Sequence, residues 1–141
     1  MSWRTIVVGY ERDHASNRAL ERAAELARVT GARLIVTSLA QPLPTAAAAR
    51  GVGPFDPADA PEAHREELRH AHALLEAQKV HAELDVELGD PAEAIVALAV
   101  RREADLIVVG THERAFIDRL LHGSVSEEVT RRAHCDVLVV H

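Results

Sequence analysis

Residues 105–126 read DLIVVGTHERAFIDRLLHGSVS. An apolar, strand-like run ends in Gly110-Thr111-His112, and Gly123-Ser124-Val125 then opens a helical pattern. Helix starts carry unpaired backbone amides and the positive end of the helix dipole, so they suit phosphate oxygens. Glycines on either side of such a loop let the backbone come close to a ligand. The Ser124 hydroxyl has two available uses: contact to a bound anion, or capping of the helix it precedes.

Other chemistries are less well provided for. Nine histidines raise the question of a metal. None forms a His-x3-His pair with a carboxylate, and His70 and His72 point to different helix faces. His112, beyond a strand end, is the one histidine placed as a site residue; a solvated loop histidine is the other reading of it. There is no Gly-x-Ser-x-Gly nucleophile elbow and no Gly-x4-Gly-Lys-Ser/Thr phosphate loop. The first strand leads into Tyr10-Glu11-Arg12-Asp13 rather than a glycine- and serine-rich turn. No catalytic residue and no metal ligand is assigned, so the expectation is a binding protein rather than an enzyme.

The elements that must position these residues alternate regularly. TIVVG (5–9), RLIVTSL (33–39), DLIVVG (105–110) and DVLVV (136–140) are almost continuously apolar, as strands covered by helices on both faces are. HAELDVELG (81–89) alternates instead, with Ala82, Leu84, Val86 and Leu88 on one face, which suits a sheet edge. Helical spacing covers 15–30, 64–79, 91–103 and 125–133. Asp13 and Asp90 are placed to cap, Glu93 and Glu127 to close capping boxes, Pro91 fits a first turn, and Gly31 is a stop. The order predicts an α/β fold: a doubly wound, mostly parallel five-stranded sheet wrapped on both faces by helices, in a single domain over 1–141. Residues 41–63, rich in Pro, Ala and Gly, are expected to form a long mobile loop, either a lid or a tolerated insertion. In such a sheet ligands sit beyond the carboxyl ends of the strands, where the winding reverses. Those ends bring Gly9, Tyr10, Glu11, Ser38, Leu39, Gly110, Thr111 and His112 into consideration.

The totals narrow the class. The chain has 141 residues, 48% of them hydrophobic but only 3% aromatic, so Val, Leu, Ile and Ala must fill the core. A net charge of −6 argues against binding nucleic acid, which needs a basic surface. No apolar run approaches the length of a membrane span and the first residues do not read as a signal peptide, so a cytoplasmic protein without membrane contact is expected. Cys135, the single cysteine, precedes an apolar strand and reads as a small buried hydrophobe.

Taken together, DLIVVG, the loop from Gly110 to Gly123-Ser124-Val125-Ser126, IVVGYERDHASNRAL, GARLIV and GDPAEAI resemble the universal stress protein family over essentially the whole chain. That resemblance implies a Rossmann-like fold of the adenine nucleotide alpha hydrolase type, a stress-response role, and ATP, ADP or AMP at the switch point, with Mg²⁺ as a companion of the phosphates. On this likeness Glu11 stands near the ribose, Val36, Ser38 and Leu39 flank adenine, and Gly110, His112, Gly123, Ser124 and Val125 face the ribose and phosphates. Homodimerisation through the last strand, 136–140, is also implied; an internal strand shielded by its helix is the alternative.

Three positions depart from the family pattern: Glu11 stands where Asp is usual, Ala115 replaces a frequently glycine-like residue, and the third bears most on the phosphates. Glu113 stands where a second glycine is usual, and it adds bulk and negative charge beside the phosphates. At 6 Å and an effective dielectric near 20, each pair of unit charges costs roughly 3 kcal/mol. Three readings remain: a dimeric nucleotide sensor with a weakened phosphate grip, a dimeric scaffold that binds no nucleotide, and a weak ATPase.

Overall fold

The computed structural model describes residues 3–11, 13–39, 61–87, 89–111 and 125–141. They form strands β1 (Thr5–Tyr10), β2 (Arg33–Ser38), β3 (Glu83–Asp85), β4 (Leu106–Gly110) and β5 (Asp136–Val140), with helices α1 (His14–Thr30), α2 (Pro61–Ala77), α3 (Pro91–Arg101) and α4 (Val125–Arg132) between them. The sheet is parallel throughout, in the order β3-β2-β1-β4-β5. This is the expected α/β architecture.

Alternation along each strand splits the core in two. Ile6, Val8, Tyr10, Val36 and Val108 pack against α1 and α2, whereas Val7, Ile35, Ile107 and Val109 pack against Ile95 and Leu98 of α3 and Val129 of α4. The helix ends follow their local chemistry. Asp13 accepts from the Ser16 amide at 2.7 Å, and Gly31, at φ +73°, turns its N–H back to the Ala27 carbonyl at 2.8 Å. Asp90 accepts from the Glu93 amide at 3.0 Å, and Pro91 begins the first turn. The Glu93 carboxylate does not complete the box; it lies 3.4 Å from Arg132.

Three features differ from expectation. Helix α2 begins at Pro61, so the segment read as a loop ends earlier; the rest of it lies outside the described residues, and so does Leu88. Strand β3 has only three residues, and Leu84 and Val86, expected to bury one face, are 43% and 37% exposed. The cause is its position. β3 pairs only over Ile35↔Glu83 to Thr37↔Asp85, and its other face is given to charge, with Glu83 bound by Arg33 and Arg102. Cys135 is half-buried among apolar neighbours; burial, then Asp136 and Asp105, pushes its thiol pKa up, so it is a poor nucleophile.

Candidate site at the carboxyl ends of the strands

The chain winds outward from β1 to β2 and β3, then returns to place β4 on the other side of β1. The switch point is therefore between β1 and β4. In register, Tyr10 sits beside Ser38, and Gly110 beside Val140. The Leu39 amide donates to the Tyr10 carbonyl and the Thr111 amide to the Val140 carbonyl, both at 2.8 Å.

Gly110 is required here for a structural reason. A Cβ at this position would stand 2.6 Å from the Ala15 carbonyl carbon and 2.7 Å from its oxygen. Only a hydrogen fits where the first turn of α1 crosses the end of β4. Gly9 is enclosed on the opposite face, where a Cβ would meet Ile95 at 2.8 Å.

Two side chains expected to line a ligand are in the core. Val36 and Tyr10 are both fully buried on the α1/α2 face. The Tyr10 hydroxyl donates to Asn17 Oδ1 at 2.6 Å and also meets His70 Nδ1. Because the hydroxyl has one proton, the His70 Nδ1–H supplies the second bond. The rings stack at 6.0 Å. Ser38, 4% exposed, donates to the Glu67 carboxylate at 2.5 Å, and Leu39 is equally buried. Any contact from Tyr10 or Val36 to a ligand must therefore come from the main chain. Glu11 and Val125 are half-buried. His112, Glu113, Gly123 and Ser124 lie outside the described residues.

Beside the switch point is an open cleft of about 410 Å³, lined by Thr111, Ser126, Glu127, Thr130, Arg131 and Val139. Thr111 was expected there, whereas Ser126, Thr130 and Arg131 were not singled out. The i,i+4 spacing of Ser126 and Thr130, which puts two hydroxyls on one stripe of α4, is the signal that could have found them. Thr130 spends its proton on the Ser126 carbonyl at 2.7 Å, and Arg131 pairs with Glu128. His70 was likewise missed, because its partner Tyr10 is sixty residues away. Among the described residues, no three His, Cys, Asp or Glu side chains gather as metal ligands.

A fold of this order with these strand ends has known relatives. The family model described as "Universal stress protein family" matches residues 2–141. The chain belongs to the universal stress protein family. A universal stress protein of Mycobacterium tuberculosis (strain H37Rv) is 35% identical over 146 residues, spanning 99% of this chain and 97% of that one. Among solved structures, a universal stress protein in complex with cAMP superposes with a TM-score of 0.79 at 30% identity, covering 100% and 99% of the two chains. The universal stress protein from Archaeoglobus fulgidus in complex with dAMP gives 0.66 at 28% identity, covering 100% of both. Among the described residues of this universal stress protein, no helix is long and apolar enough to cross a membrane.

Proposed function

We propose that this universal stress protein is a cytoplasmic homodimer that binds an adenine nucleotide at the β1/β4 switch point and acts by binding rather than turnover. The observation that carries this reading is the likeness, over the full chain, to relatives held with cAMP and dAMP, joined to an open, hydroxyl-lined cleft beside the same strand ends. Both of those ligands carry a single phosphate. Glu113 would oppose further phosphates, so the proposed ligand is a monophosphate, with ATP held less well and Mg²⁺ serving only to offset charge. Gly9, Tyr10, Glu11, Ser38, Leu39, Gly110 and Thr111 would frame the nucleoside, largely through main-chain groups, and His112, Gly123, Ser124 and Val125 the phosphate. The dimer would form through β5, which pairs only with β4 among the described residues and offers an apolar edge that otherwise invites association.

A scaffold without nucleotide is favoured by one specific observation. Gly110 is accounted for by packing against α1, with no need for a ligand. Calorimetric titration with cAMP, AMP and ATP, with and without Mg²⁺, separates the two readings. The nucleotide reading expects heat with cAMP or AMP, weaker ATP binding, and tighter ATP binding in Glu113→Gly. Silence with every nucleotide leaves the scaffold, and hydrolysis of bound ATP would overturn the non-enzymatic role.

A further inference from the structure

Helix α2 is joined by polar bonds to the carboxyl ends of β1 and β2. Tyr10 and Ser38 are the last residues of those strands and neighbours in register. Both side chains are buried, and both turn to the face that carries α2, where they meet two residues one helical turn apart. The Ser38 hydroxyl donates to the Glu67 carboxylate at 2.5 Å. His70 Nδ1 meets the Tyr10 hydroxyl, with the two rings stacked at an interplanar angle of 24°. Glu67 and His70 are themselves half-buried. The main chain closes the frame, because the Leu39 amide donates to the Tyr10 carbonyl at 2.8 Å. The two strand ends are therefore tied to each other through their peptides and to α2 through their side chains.

Packing alone does not call for these bonds. Leu68, Ala71 and Leu75 already seat α2 in the core. A carboxylate held over a buried hydroxyl loses hydration, and an apolar pair of the same shape can stabilise as well or better. What a hydrogen bond adds over apolar contact is direction. It fixes the side chain, and with it the peptide unit that carries that side chain. Because both side chains turn inward, a ligand at these strand ends meets Tyr10 and Ser38 as main chain. The placement of that main chain is what the two bonds govern.

We propose that Glu67 and His70 are positioning residues for the adenine nucleotide: by anchoring the side chains of Ser38 and Tyr10 on α2, they set where the ends of β1 and β2 present their main chain to the nucleoside. The inference rests on the nucleotide reading above and adds to it two residues of a helix that need not touch the ligand.

The test uses the full-length protein, calorimetry with AMP and cAMP, and urea unfolding. Ser38→Ala/Glu67→Leu replaces one bond by apolar contact and should keep the parent's urea midpoint. Its affinity should nevertheless fall by roughly threefold to tenfold, the worth of one hydrogen bond. His70→Phe keeps the ring on Tyr10 and removes the N–H; a similar loss is expected, and this variant carries the test if the double variant does not fold. Glu67→Gln keeps an acceptor for the Ser38 hydroxyl and should recover most of the affinity that the double variant loses. In the parent, the His70 ring nitrogen signals should move as AMP is added and saturate with the binding curve. Parent-like affinity in the folded variants, no recovery in Glu67→Gln, or His70 signals that stay still as the site fills overturns the proposal while nucleotide binding stands. No heat from the parent with either nucleotide overturns the nucleotide reading, and this inference with it.

Discussion

The two ends of the sheet are built on different principles. At the amino end, strands are tied to one another directly: the Asp105 carboxylate accepts from the Arg4 amide at 3.0–3.1 Å and the Thr5 amide at 3.0 Å, while the Asp105 amide donates to the Thr5 carbonyl at 3.0 Å. Trp3 reaches Asp136 at 3.0 Å across the same end. At the carboxyl end the side-chain ties run from strand to helix instead, Tyr10 to Asn17 and His70, and Ser38 to Glu67. The difference teaches why one end can host a ligand. Where β1 and β4 clamp each other, their free amides are used up. Where helices carry the side-chain contacts, a cleft remains beside the end of β4.

The sharpest way to break this contrast is at Gly110. Its missing side chain lets α1 cross β4, and the atoms a Cβ would strike are main chain, which cannot rotate aside. Gly110→Ala should cost about 3 kcal/mol, at the upper end for overpacking, measured by urea unfolding, and should loosen α1 at the carboxyl end first by hydrogen exchange.

The amino-end clamp should respond less, and with a pH signature. Burial pushes the Asp105 pKa up, but the Arg4 and Thr5 amides outweigh it and hold the carboxyl below the ordinary aspartate range. Asp105→Asn should cost about 1.5 kcal/mol, the low end for a charge-assisted bond, since the site is partly open to water. A depressed folded pKa stabilises above the unfolded value of about 3.9. The gap between parent and variant should therefore hold at neutral pH and close as acid carries the parent through its lower folded pKa. A gap that is constant with pH would show that the amides do not favour the charged form.

How much of this was legible beforehand depended on the range of the signal. Asp13, Asp90 and Gly31 act within four residues of themselves, so their roles could be read locally, and the apolar runs gave four of five strands nearly to the residue. β3 could not be read that way: its length is set by how far β2 extends beside it and by arginines at 33 and 102. The site was half legible. Motif spacing located the strand ends, but it could not distinguish a tyrosine facing a ligand from one turned inward. Tyr10 turns inward because Asn17 and His70 wait there, and one of those partners is remote in sequence.

Tyr10→Phe tests that tie with a smaller effect. The ring stays and only the hydroxyl goes, leaving Asn17 and His70 to find water from their half-buried positions. A loss of about 1 kcal/mol is expected, with His70 ring signals shifting by NMR and the Asp105 pH signature unchanged. If that signature moved as well, the two ends would be coupled rather than independent.

The smallest effect should have the opposite sign. Thr37 is 1% exposed, and its hydroxyl is buried with no hydrogen-bond partner among the described residues. It lies one row below Ser38, beside Gly9 in register, and does not line the cleft beside the end of β4. A buried hydroxyl without a partner is a net cost, and valine has nearly the same shape without it. Thr37→Val should therefore stabilise the protein by about 0.5–1 kcal/mol and leave cAMP or AMP affinity unchanged. If valine destabilised instead, the hydroxyl would have to be satisfied in solution by a buried water. That would make the carboxyl end wetter than the amino end even beneath its surface layer, and carry the contrast between the two ends from the crevice into the core.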